Sequence, residues 1–285
     1  MPTTHLFHQL DVFSAQALMG NPLAVVHNAQ GLDDAQLQRL ARWTNLSETA
    51  FLMPPADPQA DYRVRIFTPG GELPFAGHPT LGSCAAWLAA GGRPREAERI
   101  IQECGIGLVT LRRQGERLAF RAPPLRESGP VDEATGQRIA VALRVSPPQL
   151  LDLRWLVNGP RWIGVLMRSR EEVLALQPDW AAMGELALGV AAPTGLAEPA
   201  FEVRAFVPSM GVPEDPVTGS LQAGLAQWLI GEALAPPRYV AAQGTALGRA
   251  GRVHVERDGA DIWIGGDVRL CIRGELQLDS RGPQA

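Results

Sequence analysis

Apolar positions along the chain change their spacing several times, and each change predicts an element. Leu32 is followed by Asp33 and Asp34, then by Leu37, Leu40 and Ala41, one amphipathic helix face behind a capping acid. Leu108–Leu111, Leu118–Phe120, Val253–Val255 and Ile262–Ile264 are short apolar runs beside Gly-containing turns, the pattern of strands. Two more helices are predicted where loops end. Pro79 takes the first position of one, with Leu81, Ala85 and Leu88 on a face and Gly91-Gly92 as its stop. Asp215 caps the other, with Pro216 at its first position and Leu221, Leu225 and Leu229 four residues apart. The pattern is that of a mixed α/β protein.

The pattern also repeats. Val64-Arg65-Ile66-Phe67-Thr68-Pro69 returns as Val203-Arg204-Ala205-Phe206-Val207-Pro208, and His78-Pro79-Thr80-Leu81-Gly82-Ser83 returns as Asp215-Pro216-Val217-Thr218-Gly219-Ser220. Both pairs keep their order, as expected of a duplicated strand–loop–helix unit. The Pro- and Gly-rich stretch from Ala122 to Pro130 then divides an N-terminal domain, residues 1–127, from a C-terminal domain, residues 128–285. The last residues of the chain are free to pack back onto the first domain.

Two like helix starts facing one interdomain cleft would present unpaired N–H groups to a small carboxylate. His78, between Gly77 and Pro79, and Asp215, at the matching place of the repeat, are the polar groups such loops would aim at a ligand. Glu48 is a third candidate. As part of a strand it shares a face with Leu46, Ala50 and Leu52, where loss of solvation raises a carboxyl pKa toward the range of acid/base work. An edge-strand glutamate paired with an arginine is the plainer alternative.

Composition narrows the chemistry. Of 285 residues 46% are hydrophobic and 20% charged, the profile of a globular protein, and the formal charge of −4 offers nothing to nucleic acid or an anionic membrane. All 26 basic residues are arginine, so Schiff-base and P-loop lysine chemistry are excluded. Cys84, Cys104 and Cys271 are too scattered for a disulfide framework or zinc site, and Cys84 lies within a predicted helix, where it packs. His5, His8, His27 and His254 are dispersed without metal-ligand spacing. The N-terminus lacks the charged start and apolar run of a signal peptide, and no segment is apolar enough to span a bilayer, so a reduced cytoplasmic setting is expected.

Several stretches together resemble one known family: Asp11-Val12-Phe13 with Gly20-Asn21-Pro22-Leu23, Asn45-Leu46-Ser47-Glu48-Thr49, Arg65–Pro69, Glu72–Thr80 and Gly211–Ser220 are similar to the PhzF-like proteins of phenazine biosynthesis. The resemblance implies a diaminopimelate-epimerase-like fold: two pseudo-symmetric α/β domains, each a curled sheet around a central helix, with the site between them. Epimerase relatives place a cysteine from each domain at that cleft. Here Gly77-His78 and Glu214-Asp215 stand in those loops, which argues against a two-thiol mechanism. The resemblance instead implies Glu48 as proton carrier, with His78 and Asp215 lining the pocket. Ser47, Gly77, Gly219 and Ser220 would hold a substrate carboxylate. The expected activity is that of a cofactor-independent isomerase moving a proton between carbons of a small cyclic or amino carboxylate, in a homodimer. An epimerase with opposed non-thiol bases and a non-catalytic metabolite-binding protein are the alternatives.

Overall fold

The computed structural model describes residues 3–278. The first half runs β1 (Thr3–Val12), β2 (Asn21–Val26), α1 (Asp34–Thr44), β3 (Thr49–Met53), β4 (Tyr62–Phe67), β5 (Glu72–Leu73), α2 (Gly77–Ala89), β6 (Arg99–Cys104), β7 (Gly107–Gln114) and β8 (Arg117–Arg121). The second runs β9 (Glu127–Pro130), α3 (Glu133–Leu143), β10 (Asp152–Val157), β11 (Arg161–Leu166), α4 (Arg170–Ala175), α5 (Trp180–Met183), β12 (Ala187–Pro193), β13 (Phe201–Val207), β14 (Val212–Asp215), α6 (Gly219–Gly231), β15 (Arg238–Gln243), β16 (Gly251–Asp258), β17 (Asp261–Gly266) and β18 (Val268–Leu278).

The duplication read from two short motifs extends to the whole pairing scheme. β1–β2 is antiparallel, β2–β3 parallel, β3–β4 and β4–β5 antiparallel, β4–β6 parallel, and β6–β7–β8 antiparallel. β10–β11, β11–β12, β12–β13, β13–β14, β13–β15 and β15–β16–β17 repeat that series in the same senses. The two sets are then stitched together. β8 pairs antiparallel with β17, and β18 returns to pair with β1 from Thr3↔Leu278 to Val12↔Val268.

Each set curls around one helix. Nine of the thirteen residues of α2 and eleven of the thirteen of α6 are buried. A helix apolar on all sides belongs inside a core. α1 is instead amphipathic and lies outside, burying Leu37, Leu40 and Ala41; the predicted cap is Asp33, which forms a reciprocal capping box with Gln36. Cys84 packs in α2 as expected, and burial pushes its thiol up to about 12.

Both repeats carry the same clamp. Arg65 forks onto Glu72 (2.7 and 2.6 Å) and Arg204 onto Glu214 (2.9 and 2.7 Å), each bracing the short strand that leads into a central helix. Guanidinium geometry makes two parallel bonds to a carboxylate, which an ammonium does not.

Three local expectations are corrected. α2 begins at Gly77, with Ala76 as N-cap, so Pro79 is not its first residue. α6 begins at Gly219 behind Thr218, while Asp215 ends β14. The structural counterpart of Gly77 is therefore Gly219 rather than a residue aligned through Asp215-Pro216. His5, His8 and His27 are not dispersed: His27 Nε2 lies 3.2 Å from His8 Nδ1, and His5 Nδ1 lies 3.2 Å from the His27 carbonyl.

Candidate active site

The two central helices meet at their N-termini. A Cβ on Gly77 would lie 2.5 Å from Gly219 Cα, and one on Gly219 would lie 2.8 Å from Gly77 Cα. Only glycine permits this backbone approach. Neither helix start receives a hydrogen bond from its cap side chain, so both present free N–H groups at the junction.

Glu48 lies just before β3, not within a strand, which corrects the expectation that it alternates with Leu46, Ala50 and Leu52. The chain leaves α1 through a left-handed Asn45 and turns Glu48 inward. Its Oε2 stands 3.5 Å from His78 Nε2. Both atoms are buried, and neither has a hydrogen-bond partner. His78 is in the first turn of α2; Asp215 comes from the end of β14 in the other half.

A buried asparagine that sequence reading gave no role ties these groups together. Asn21, the first residue of β2, donates Nδ2 to Asp215 Oδ1 (2.8 Å) and to the Val217 carbonyl (2.9 Å). The same nitrogen lies 3.3 Å from His78 Nδ1, and Asn21 Oδ1 accepts from the Ser47 hydroxyl (3.2 Å). Thr218 donates to the other oxygen of Asp215, and the buried Gln243 holds Thr218 Oγ1 (2.9 Å) and the Asp215 carbonyl (3.2 Å). Trp162 Nε1 donates to Ser220 Oγ (3.1 Å), and Asn158 Nδ2 to the Ser220 carbonyl (2.8 Å). The available signal for Asn21 was an amide wedged between Gly20 and Pro22 at the start of an apolar strand, where a polar group needs a buried partner.

The seven candidate residues thus come together. Ser47, Glu48, Asp215 and Ser220 line one small pocket with Thr68, Trp162 and Thr218, and Gly77, His78 and Gly219 form the adjoining helix starts. Apolar Leu73, Val207 and Val212 close its other side. The free volume is about 30 Å³, room for a water or two, so the cleft must widen to admit a substrate.

Burial controls the charges. It raises Glu48 from 4.5 to about 8, with help from the Asp215 charge. It raises Asp215 to about 6 against the opposing Thr218 and Asn21 hydrogen bonds. His78 is lowered to about 3, burial outweighing a hydrogen bond to the Pro22 backbone. At neutral pH the His78–Glu48 contact is therefore between a neutral ring and a mostly protonated acid, not an ion pair. Among the described residues no cluster of three or more His, Cys, Asp or Glu could hold a metal ion.

Two like lobes with an acid–imidazole pair and facing helix starts at their junction define a class of protein, and comparison with known proteins supplies the family. The chain belongs to the phenazine biosynthesis-like protein family (PhzC-PhzF), which it matches over residues 10–271. It is 36% identical to antisense-enhancing sequence 1 of Schizosaccharomyces pombe, over 96% of this chain and 99% of that protein. It is 33% identical to the trans-2,3-dihydro-3-hydroxyanthranilate isomerase of Pseudomonas aeruginosa, over 90% and 91%. A crystal structure of a PhzF-family protein from Enterococcus faecalis superposes with a TM-score of 0.79 at 27% identity, over 97% of this chain and all of that one. No helix among the described residues is long and apolar enough to cross a membrane.

Proposed function

We propose that this chain, an isomerase of the PhzF family, moves a proton between two carbons of a small carboxylate with Glu48 as the carrier. The observation that carries the reading is the facing pair of buried, unpartnered atoms, Glu48 Oε2 and His78 Nε2. Buried polar atoms are ordinarily paired, and an orphaned pair at a cleft is what a bound substrate would complete.

The chemistry follows from the three titrations. Ionised Glu48, held near 8 by its surroundings, is a far stronger base than an exposed glutamate. It removes a proton from one carbon of a conjugated system and leaves the electron pair delocalised over that system. The new carboxylic acid then returns the proton at a second carbon, which restores ionised Glu48. His78 is too weak a base to share this role, and both Asp215 oxygens are engaged by Asn21 and Thr218. This favours one moving carboxyl over two opposed bases. The bare starts of α2 and α6, with Ser47 and Ser220, would hold the substrate carboxylate. Closure to a nearly waterless space would protect the carbanion from bulk solvent.

The test is a panel of small cyclic and amino carboxylates incubated in D2O and followed by NMR for isomerisation and deuterium uptake. Glu48→Gln keeps the shape and removes the proton, and should lower turnover by about 10²–10⁴. Undiminished turnover in that variant would refute the assignment.

A further inference from the structure

A second cavity lies on another side of the junction, with a volume of about 470 Å³. That is within the usual range for small-molecule sites of roughly 300–1,000 Å³. Both halves build it: Ile106 and Thr110 from around β7, Arg121 at the end of β8, the connecting segment through Pro123 and Arg126, and Asn158, Gln227 and Ile262 from the second half. The catalytic groups described above play no part in its lining.

Three features of the lining point to a ligand. Arg126 forms no ion pair among the described residues, and Arg121 reaches only one carboxylate, that of Asp261, at 3.7 Å, so the positive charge is incompletely answered. Asn158 is 1% exposed, and with its Nδ2 committed to the Ser220 carbonyl its Oδ1 has no partner. A buried acceptor left open calls for a donor. Ile106, Pro123 and Ile262 supply apolar walls between these polar ends.

We infer that this cavity is a second binding site, for a small carboxylate that has a compact apolar body and an O–H or N–H donor. The carboxylate answers the guanidinium groups and the donor answers Asn158 Oδ1. Asn158 also fixes the first turn of α6 through Ser220, whose hydroxyl takes the Trp162 indole N–H, so an occupant of the cavity is one hydrogen bond removed from the catalytic cleft.

Calorimetric titration of the intact protein with 3-hydroxybenzoate tests this, with benzoate as the analogue lacking the donor. Saturable binding of 3-hydroxybenzoate is expected, with benzoate weaker by about ten-fold. Arg126→Glu, an exposed change that leaves the core untouched, should weaken binding by about ten-fold or more. Ile106→Trp, which fills the space, should abolish it. In the wild type, occupancy should also move the Trp162 indole N–H resonance, identified by its loss in Trp162→Phe. No saturable binding, equal affinity for benzoate, or binding unchanged in Arg126→Glu would overturn the inference; the last result would place the ligand in the catalytic cleft.

Discussion

Asn21 and Asp215, 194 residues apart in the sequence, are joined by a 2.8 Å hydrogen bond in which the amide donates to Oδ1. The bond spans the junction between the two halves and keeps Asp215 more acidic than burial alone would leave it. Asn21→Ala should therefore raise the Asp215 pKa further above its present value of about 6. We expect turnover to fall by about 10–100-fold, consistent with loss of a hydrogen bond to a charged group. A shifted pH profile would separate this from simple loss of folded protein, and an unshifted profile would show that Asn21 serves packing alone.

The rate should rise with pH. Glu48 titrates at about 8, and only its ionised form can take a proton from carbon, so kcat/KM should climb through the neutral range and level off above that value. A profile that falls across this range would mean that the acid form starts the reaction.

Stability should move the opposite way. The Glu48 pKa is about 8 when folded against 4.5 ordinarily, so its contribution is complete below 4.5 and is lost as pH rises through 8. Glu48→Gln abolishes that loss. At pH 9 the variant should exceed the wild type in stability by on the order of 1–3 kcal/mol, a Tm increase of several degrees by calorimetry. Equal melting temperatures at pH 9 would count against a buried charge at this position.

At the acid end the histidine pair takes over. Burial lowers both His8 and His27, the latter to about 4 from 6.5. The His27 contribution is present above 6.5 and is lost as pH falls through 4, because the unfolded chain binds protons there first, and the His8 contribution is lost in the same direction. The Tm at pH 4 relative to that at pH 7 should therefore be higher in His27→Gln than in the wild type. A slope unchanged in the variant would locate acid sensitivity elsewhere.

Gly219→Ala tests the helix junction. The added methyl would sit 2.8 Å from Gly77 Cα and 3.1 Å from the His78 nitrogen, against backbone that cannot rotate aside. We expect about 1–3 kcal/mol of destabilisation and a loss of activity near 10²-fold, since the helix starts and His78 move together. Wild-type activity in this variant would show that the close approach is dispensable.

Much of the fold was legible in local patterns. The capping acid Asp33, the short strands and the repeated Val-Arg-x-Phe segment all report interactions made within a few residues. The helix starts were misjudged for a physical reason: Asp215-Pro216 has the composition of a cap, but the Asp215 carboxylate is taken by Asn21 and Thr218, so the helix waits until Gly219. The place of Glu48 at the cleft follows from its motif, while a strand alternation puts it inside β3, which begins one residue later at Thr49. Asn21, Gln243 and Asn158 act across long sequence separations, and no local period encodes such partners. The His8–His27 contact is hidden for the same reason: His8 lies on β1 and His27 just past the end of the neighbouring β2.

The pairing of Thr3 with Leu278 brings the beginning and the end of the described chain side by side. A short linker could therefore fuse them, and new ends could be opened at the exposed β7–β8 hairpin, where Gly115 has φ 65°. Such a circularly permuted protein would cut the chain inside one lobe while preserving every strand neighbour. It would show whether the lobes act through their three-dimensional arrangement, independent of the order in which the polypeptide visits them.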